Sequence, residues 1–440
     1  MKMKTLYTTL LGLAFLLLGS GALKAQEPVM APPPENEDTL SNVIRILQSD
    51  VAVLKRVKFS GYVQAQYQQI DSAGAKSVAG GDFPVGVNKR FKVRRGEFKT
   101  MYDNGKTQIV ANIDITQNGV SIKDCYGKFT EQWLQTFSVT AGIFNRPFGW
   151  EVPTSSSAIG SPERSRVNQM LFPGERDLGV MLTVQLPVTS PLRPLKLEAG
   201  LFNGNGNTSK EDYDFQKDFI SHLTWVKSTK NEKISYGLGV SLYNGGVQNT
   251  NKFVYDNLIT LGTDSVKWVV DSTASNKGAI SKRQYIGFDG QFSMMSIIGI
   301  TTVRVEYVTG TQPGTSSDTK SPNGQTAPPA AADTYVRKMD GLTFFFSQNI
   351  GSTKNQVIFK YDWYDPNTQV EGLEIGKSGS KLTAADIKYT TMGFGWIYNW
   401  DNNVKIIAYY DLVKNEKTSL NGYKNDLLDN VFTARIQYKF

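Results

Sequence analysis

Val-Phe-Thr-Ala-Arg-Ile-Gln-Tyr-Lys-Phe, residues 431–440, ends the chain and alternates without a break. Phe432, Ala434, Ile436, Tyr438 and Phe440 share one face, and Thr433, Arg435, Gln437 and Lys439 share the other. Successive side chains of a strand point to opposite sides, so the segment sets an apolar, aromatic stripe against a charged one. That is the pattern of a closing membrane-spanning strand, with lipid on one side and a polar lumen on the other.

The same two faces recur upstream. Ile109, Ala111, Ile113 and Ile115 oppose Gln108, Asn112, Asp114 and Thr116, while Val357, Phe359, Tyr361 and Trp363 oppose Lys360 and Asp362. Met392, Phe394, Trp396, Tyr398 and Trp400 form a third lipid-type stripe, opposite Gly393 and Gly395, whose rings near the Asp401-Asn402 turn suit an interfacial aromatic girdle. A soluble barrel would bury its apolar face inward. Here the bulky, charged face needs water inside.

The start of the chain agrees with its end. Lys2 and Lys4 precede an apolar run from Leu10 to Leu18, and small residues lead to a cleavage point between Ala25 and Gln26, so residues 1–25 read as a signal peptide. The run is shorter than the ~20 residues a spanning helix needs, and no comparable stretch follows. No cysteine lies near the cut, which excludes lipoprotein attachment. Residues 26–38, with their prolines and acids, read as an extended tether. The period then changes. Leu40, Ile44, Leu47, Val51 and Leu54 step by four and three, a helical seam over residues 39–56 with Ser41 as its N-cap. The segment either folds against the periplasmic end of the barrel or forms a short coiled coil between subunits.

From residue 58 to 440, sixteen alternating segments are counted: 58–69, 89–102, 106–116, 120–131, 135–144, 178–187, 194–203, 217–228, 233–243, 283–293, 298–309, 335–347, 354–364, 388–400, 403–413 and 431–440. The fold class is therefore all-β, a transmembrane antiparallel barrel. The connections support the count, because short periplasmic turns should alternate with long outer loops. They do, except at 117–119. Residues 251–271 form either a hairpin within the fifth outer loop or two further strands, giving eighteen; sixteen is preferred. The loop 310–334, rich in Pro, Gly, Ser and Thr, reads as exposed.

Composition excludes several functions. Three of the 48 Lys and Arg residues (Lys2, Lys4, Lys24) lie in the leader, so 45 remain against 40 Asp and Glu, a mild positive balance without the clustered base that nucleic acid requires. One cysteine, Cys125, allows no internal disulfide, and the lone histidine, His222, reads as an ordinary strand residue; neither a metal centre nor a cofactor is implied. Gly204-Asn-Gly-Asn has no following helix and makes no nucleotide site.

The third outer loop carries the most information. It contains Asn145-Arg-Pro-Phe-Gly-Trp-Glu, then Pro162-Glu-Arg-Ser and Gly174-Glu-Arg-Asp-Leu-Gly-Val. A long loop with anchoring aromatics is usually functional. With Phe91-Lys-Val-Arg-Arg-Gly and Lys123-Asp-Cys-Tyr upstream, these motifs resemble the phosphate-selective porin O and P family, most strongly over residues 58–186, and the leader resembles those of Bacteroidota exported proteins. The resemblance implies a trimer of sixteen-stranded barrels in the outer membrane, each with its third loop folded into the lumen, passing small anions such as phosphate or polyphosphate.

Selective members of that family line the pore with arginines and lysines. Guanidinium forks bind phosphate oxygens bidentately, and several weak sites in series let an ion enter and leave. Here the constriction candidates are Arg94, Arg95, Arg146, Arg164, Arg166 and Arg176. The lumen-facing candidates are Lys92, Lys123, Lys196, Arg283, Arg304, Lys360, Lys405, Arg435 and Lys439, interleaved with Asp114, Glu198, Asp289, Glu306 and Asp362. The apolar phase slips between Val93 and Phe98, so a bulge is expected at Arg94-Arg95, with at least one of the pair inward. For the loop arginines the competing role is pairing with Glu151, Glu163, Glu175 and Asp177 to hold the loop's shape. Phe440 resembles the terminal signal read by the barrel-assembly machinery. The rival readings are an adhesin using the loops 244–282 and 310–334, and a barrel enzyme, for which no serine motif lies beside His222.

Overall fold

The computed structural model describes residues 39–206, 211–261, 265–320 and 331–440. The signal peptide, the tether, and the middle of the 310–334 loop lie outside the described residues. The chain divides into two units, Met1–Lys55 and Arg56–Phe440.

In the first unit, helix α1 spans Thr39–Leu54. Because it begins at Thr39, Ser41 lies in its first turn and is not the N-cap. Within this chain Ile44, Leu47, Val51 and Leu54 are all exposed. Their apolar surface has no partner among the described residues of the unit.

The second unit is a closed barrel with a hairpin. Its strands are β1 (Val57–Ile70), β2 (Lys89–Asp103), β3 (Thr107–Thr116), β4 (Gly119–Thr130), β5 (Phe137–Asn145), β6 (Arg176–Gln185), β7 (Leu195–Phe202), β8 (Asp218–Ser228), β9 (Ile234–Gln248), β10 (Val254–Leu261), β11 (Ser265–Asp271), β12 (Ile280–Ser296), β13 (Gly299–Gly314), β14 (Thr334–Asn349), β15 (Asn355–Asp365), β16 (Tyr389–Asn399), β17 (Val404–Asn415) and β18 (Val431–Lys439). Helix α2 (Arg166–Leu171) interrupts the third outer loop. The barrel closes where β1 pairs antiparallel with β18, from Tyr62 opposite Lys439 to Ile70 opposite Val431.

The count of sixteen depends on β10 and β11. Strand β9 pairs directly with β12, from Gln248 opposite Ile280 to Ile234 opposite Met294, so the barrel wall bypasses the hairpin. Among the described residues the hairpin pairs with the barrel wall at the outer end of β14, where Val254 and Tyr255 run parallel to Thr334 and Tyr335. The sixteen remaining strands are the sixteen expected, and the eighteen-strand alternative is set aside.

Alternation is explicit in the burial. On β9, Leu238, Val240 and Leu242 are exposed while Ser241 and Tyr243 are buried; on β18, Phe432, Ile436 and Tyr438 face out while Thr433, Arg435 and Gln437 are buried. The outer ends of β9 and β13 continue to Gln248 and Gly314, beyond the expected 243 and 309. Residues 310–314, expected in an exposed loop, are therefore strand, with Gln312 buried.

The barrel interior is not uniformly polar, contrary to the expectation of a charged, watered inner face throughout. Phe148 and Phe172 of the third loop pack with ring centroids 4.7 Å apart and contact Tyr285, whose ring packs tilted against Tyr243 at 4.9 Å. A second cluster joins Trp150 to Phe345, Ile358, Ile397, Ile407 and Tyr409. Burying each such ring contributes roughly 1.5–3 kcal/mol, so the loop is bound to the β8–β17 side of the lumen. On the other side, cavities remain between the loop and wall residues of β2 and β4.

Candidate functional site: the third loop against the barrel wall

Three hydrogen bonds carry the loop into the lumen. Gly149 adopts φ +57°, which a side chain resists, and a Cβ there would collide with the Glu306 carboxylate. Its N–H donates to Ser241 Oγ at 2.9 Å, and the N–H groups of Trp150 and Glu151 donate to Glu306 Oε2 at 2.9 and 3.2 Å. Farther on, Ser165 caps α2, accepting from Asn168 N, while the Glu151 carboxylate accepts from Ser165 N at 2.9 Å and from its hydroxyl. Burial pushes the Glu151 carboxyl upward, against the pull of Arg164. The Lys405 ammonium donates to Ser157 O at 2.6 Å and that of Lys360 to Glu163 O at 3.2 Å.

The open side is built around two buried carboxylates. The bulge falls at Arg94: Gln64 pairs with Arg95 and Ala65 with Val93, leaving Arg94 without a register partner. Residues 90, 92 and 94 point inward before the bulge, and 95, 97 and 99 after it. Both arginines therefore enter the lumen. Arg94 grips Glu163 bidentately at 2.6 and 2.7 Å, and Arg95 and Arg435 reach the same carboxylate at 3.4 and 3.5 Å. Burial alone would raise the Glu163 carboxyl, but the guanidiniums of Arg94 and Arg95 outweigh it and hold it far below the usual range. Glu175 repeats the arrangement. Arg164 binds it at 2.6 Å and Arg176 at 2.9 Å, and these charges overcome burial to hold it low as well. Arg176 also reaches Asp124 at 3.0 Å, and so ties the loop's end to β4.

Two adjoining cavities lie beside these carboxylates. One of about 220 Å³ is lined by Arg94, Arg95, Lys123, Arg164, Lys320, Glu163 and Glu175 together with Gln169. The other, of about 350 Å³, shares Arg94, Glu163, Gln169 and Lys320 and adds Lys92 and Asp82. Between them they present six cationic residues and three acids.

The structure thus brings together Lys92, Arg94, Arg95, Lys123 and Arg164, with Arg176 and Arg435 holding their acids from behind. It places the others apart. Arg146 is fully buried over the Phe172 ring and donates to the Pro173 and Glu175 carbonyls. Arg166 lies over Tyr389 beside a separate cleft. Arg283 is ion-paired with Asp218 and donates to Gly204 O, bracing an outer loop. Arg304 sits over the Trp150 and Phe345 rings, Lys360 beside Asp362, and Lys196 beside Glu198 at 2.9 Å. Lys439 is exposed at the end of β18.

Sequence reasoning missed Lys320 and Gln169. Lys320 comes from a Gly/Ser/Thr-rich loop with no periodicity to orient it, and Gln169 is uncharged. It also read His222 as an ordinary strand residue and did not foresee its partner. His222 Nε2 lies 2.8 Å from Asp289 Oδ2, two strands away, and Ser241 is its register partner on β9. Ser241 Oγ accepts the Gly149 N–H, and no hydrogen bond joins it to His222 among the described residues.

A closed sixteen-stranded antiparallel barrel with an apolar outer belt and a long outer loop packed inside its lumen is the architecture of a Gram-negative outer-membrane porin. No protein-family model and no curated protein sequence matches the chain. Among solved structures it is similar to the outer membrane channel DcaP of Acinetobacter baumannii, at 14% identity over 87% of this chain and 97% of that one, with a TM-score of 0.52. It is likewise similar to OmpF of Salmonella typhi, solved in complex with daunomycin, at 10% identity, 87% and 97% coverage and a TM-score of 0.53. At these identities the likeness establishes the porin fold alone.

Proposed function

We propose that the protein is a passive outer-membrane channel for small solutes that favours small anions, phosphate and polyphosphate among them. The observation carrying this reading is the charge of the open passage, where six cationic residues face three acids beside the third loop. Fixed positive charge in a narrow, low-dielectric passage raises the local concentration of anions and lowers that of cations. Arg94, Arg95 and Arg164 form the constriction, Lys92, Lys123 and Lys320 its approach, and the excess of base gives a preference rather than strict specificity.

The supporting parts have proposed roles of their own. Residues 1–25 direct export, Phe440 presents the last strand to the barrel-assembly machinery, and α1 lies in the periplasm, where its exposed seam holds a homotrimer. Planar-bilayer recording across a KCl gradient tests the channel reading. The expected result is stepwise conductance with a zero-current potential of anion-selective sign, and an inhibition of chloride current by added phosphate. Absence of any conductance from folded protein would refute the channel, and a cation-selective potential would refute the role of the basic passage.

A further inference from the structure

We infer that the cleft between the first outer loop, the eighth outer loop and the start of α2 is a binding site for a small zwitterion of amino-acid or short-peptide type, its carboxylate taken by Arg166 and its ammonium by Asp429. The cleft has a volume of about 560 Å³. It adjoins the second basic cavity, with which it shares Ser77, Val78 and Asp82, and of the cationic constriction candidates only the displaced Arg166 lines it.

Each charge lies in the other's field, but no side-chain hydrogen bond or ion pair joins either to a partner among the described residues. The Arg166 guanidinium carbon lies 3.8 Å from the centroid of the Tyr389 ring, which fixes the plane of its fork. Its backbone N–H is used, by Asp362, yet no hydrogen bond or ion pair engages its side chain among the described residues, and its Nε is shielded without a partner. Asp429 is 2% exposed and its Oδ1 is likewise buried without a partner. A third group, the hydroxyl of Ser77, is 3% exposed and also unpartnered. Buried polar atoms are nearly always satisfied, so three unsatisfied ones around one cleft call for an explanation.

A ligand of one sign cannot supply it. An anion on Arg166 would leave the Asp429 carboxylate unpaired, and a cation on Asp429 would leave the guanidinium unpaired. A molecule with both signs satisfies the two at once, the planar fork taking a carboxylate bidentately. Leu427, Leu428 and Val78 add apolar wall for a side chain. Burial raises the Asp429 carboxyl to about 7, with Asp426 and Asp71 adding to the effect and Arg166 opposing it; Asp82, Lys76, Tyr389 and Tyr423 complete the ionisable groups around the cleft. An arriving ammonium relieves this repulsion, so binding strengthens as pH rises through that value.

This goes beyond the channel reading, since binding is measured without any current. The test is calorimetric titration of the full, detergent-folded protein at about pH 8 with leucyl-leucine, its N-acetyl derivative and its methyl ester. The dipeptide should bind at least about tenfold more tightly than either blocked form, a difference of ~1.4 kcal/mol. Asp429→Asn should remove that advantage while leaving the N-acetyl form unchanged, and Arg166→Gln should weaken the dipeptide and the N-acetyl form but not the ester. Heat-modifiable gel mobility confirms that each variant is folded, and the blocked ligands test the wild type even where a variant is not. Equal binding of all three ligands, no heat at millimolar dipeptide, or indifference to both substitutions would overturn the proposal.

Discussion

Replacing Glu163 with glutamine removes one negative charge from the constriction while keeping the side chain's shape. In the structure this carboxylate is 5% exposed and meets Arg94, Arg95 and Arg435. Removing one member of a buried charged cluster costs ~3–5 kcal/mol, and because the glutamine oxygen still accepts from Arg94, the lower end is expected. The six-to-three excess of base becomes six to two. One unit charge about 8 Å from a permeating ion, at an effective dielectric near 40, contributes ~1 kcal/mol, cut to about 0.4 kcal/mol by a Debye length of ~8 Å. The anion-to-cation permeability ratio should therefore rise about two- to fivefold, as read from the zero-current potential in a KCl gradient. Arg164→Glu should move it the opposite way, and Lys439→Glu, exposed at the end of β18 away from the loop, should do little. An unchanged potential for Glu163→Gln, or a shift toward cations, would refute the placing of the constriction. The pH dependence has a definite sign. A carboxyl held below its ordinary value contributes stability that is intact above the ordinary carboxylate range and is lost only as pH falls through the depressed value, so the third loop should stay anchored until strongly acid conditions.

Gly149→Ala forces a side chain into a left-handed conformation costing ~1–2 kcal/mol and drives its Cβ against Glu306, so the loop should loosen, seen as noisier single-channel current and faster proteolysis between β5 and β6. Deleting Phe440 removes the ring that packs on Phe98 at 5.7 Å and the backbone pairing with Gly61; the truncated chain should accumulate in the periplasm, measured by fractionation, and normal outer-membrane levels would contradict the assembly role. Replacing Ile44, Leu47 and Val51 with serine should dissociate the proposed trimer on gentle gels without unfolding the barrel.

The barrel was legible in the sequence because each strand reports its two faces locally. Ile109 to Thr116 or Phe432 to Lys439 show lipid and lumen sides without reference to any neighbour, and turns such as Asp103-Asn104-Gly105 mark the short connections. The hairpin of β10 and β11 was not decided by its own residues, since both faces of Val254–Leu261 mix apolar and polar side chains; the pairing of β9 with β12 decides it. The interior was harder still. Tyr243 and Tyr285 occupy inward positions that read as lining a watered pore, and only the return of Phe148 and Phe172 from a distant loop makes them a packed core. Of the loop arginines, sequence gave no means of separating Arg164, which joins the constriction, from Arg146, buried over Phe172, or Arg166, turned to the outer cleft. Local alternation cannot encode where a thirty-residue loop crosses a lumen.

Solutes should pass between the third loop and the wall at β2 and β4. Gln169 lies at the junction of both basic cavities. In a Cys125→Ala background, Gln169→Cys reconstituted in planar bilayers should lose most of its current on reaction with a thiosulfonate reagent added from the loop side, and an anionic reagent should react faster than a cationic one of equal size. Full current after complete modification, verified by mass, would place the conduction path elsewhere.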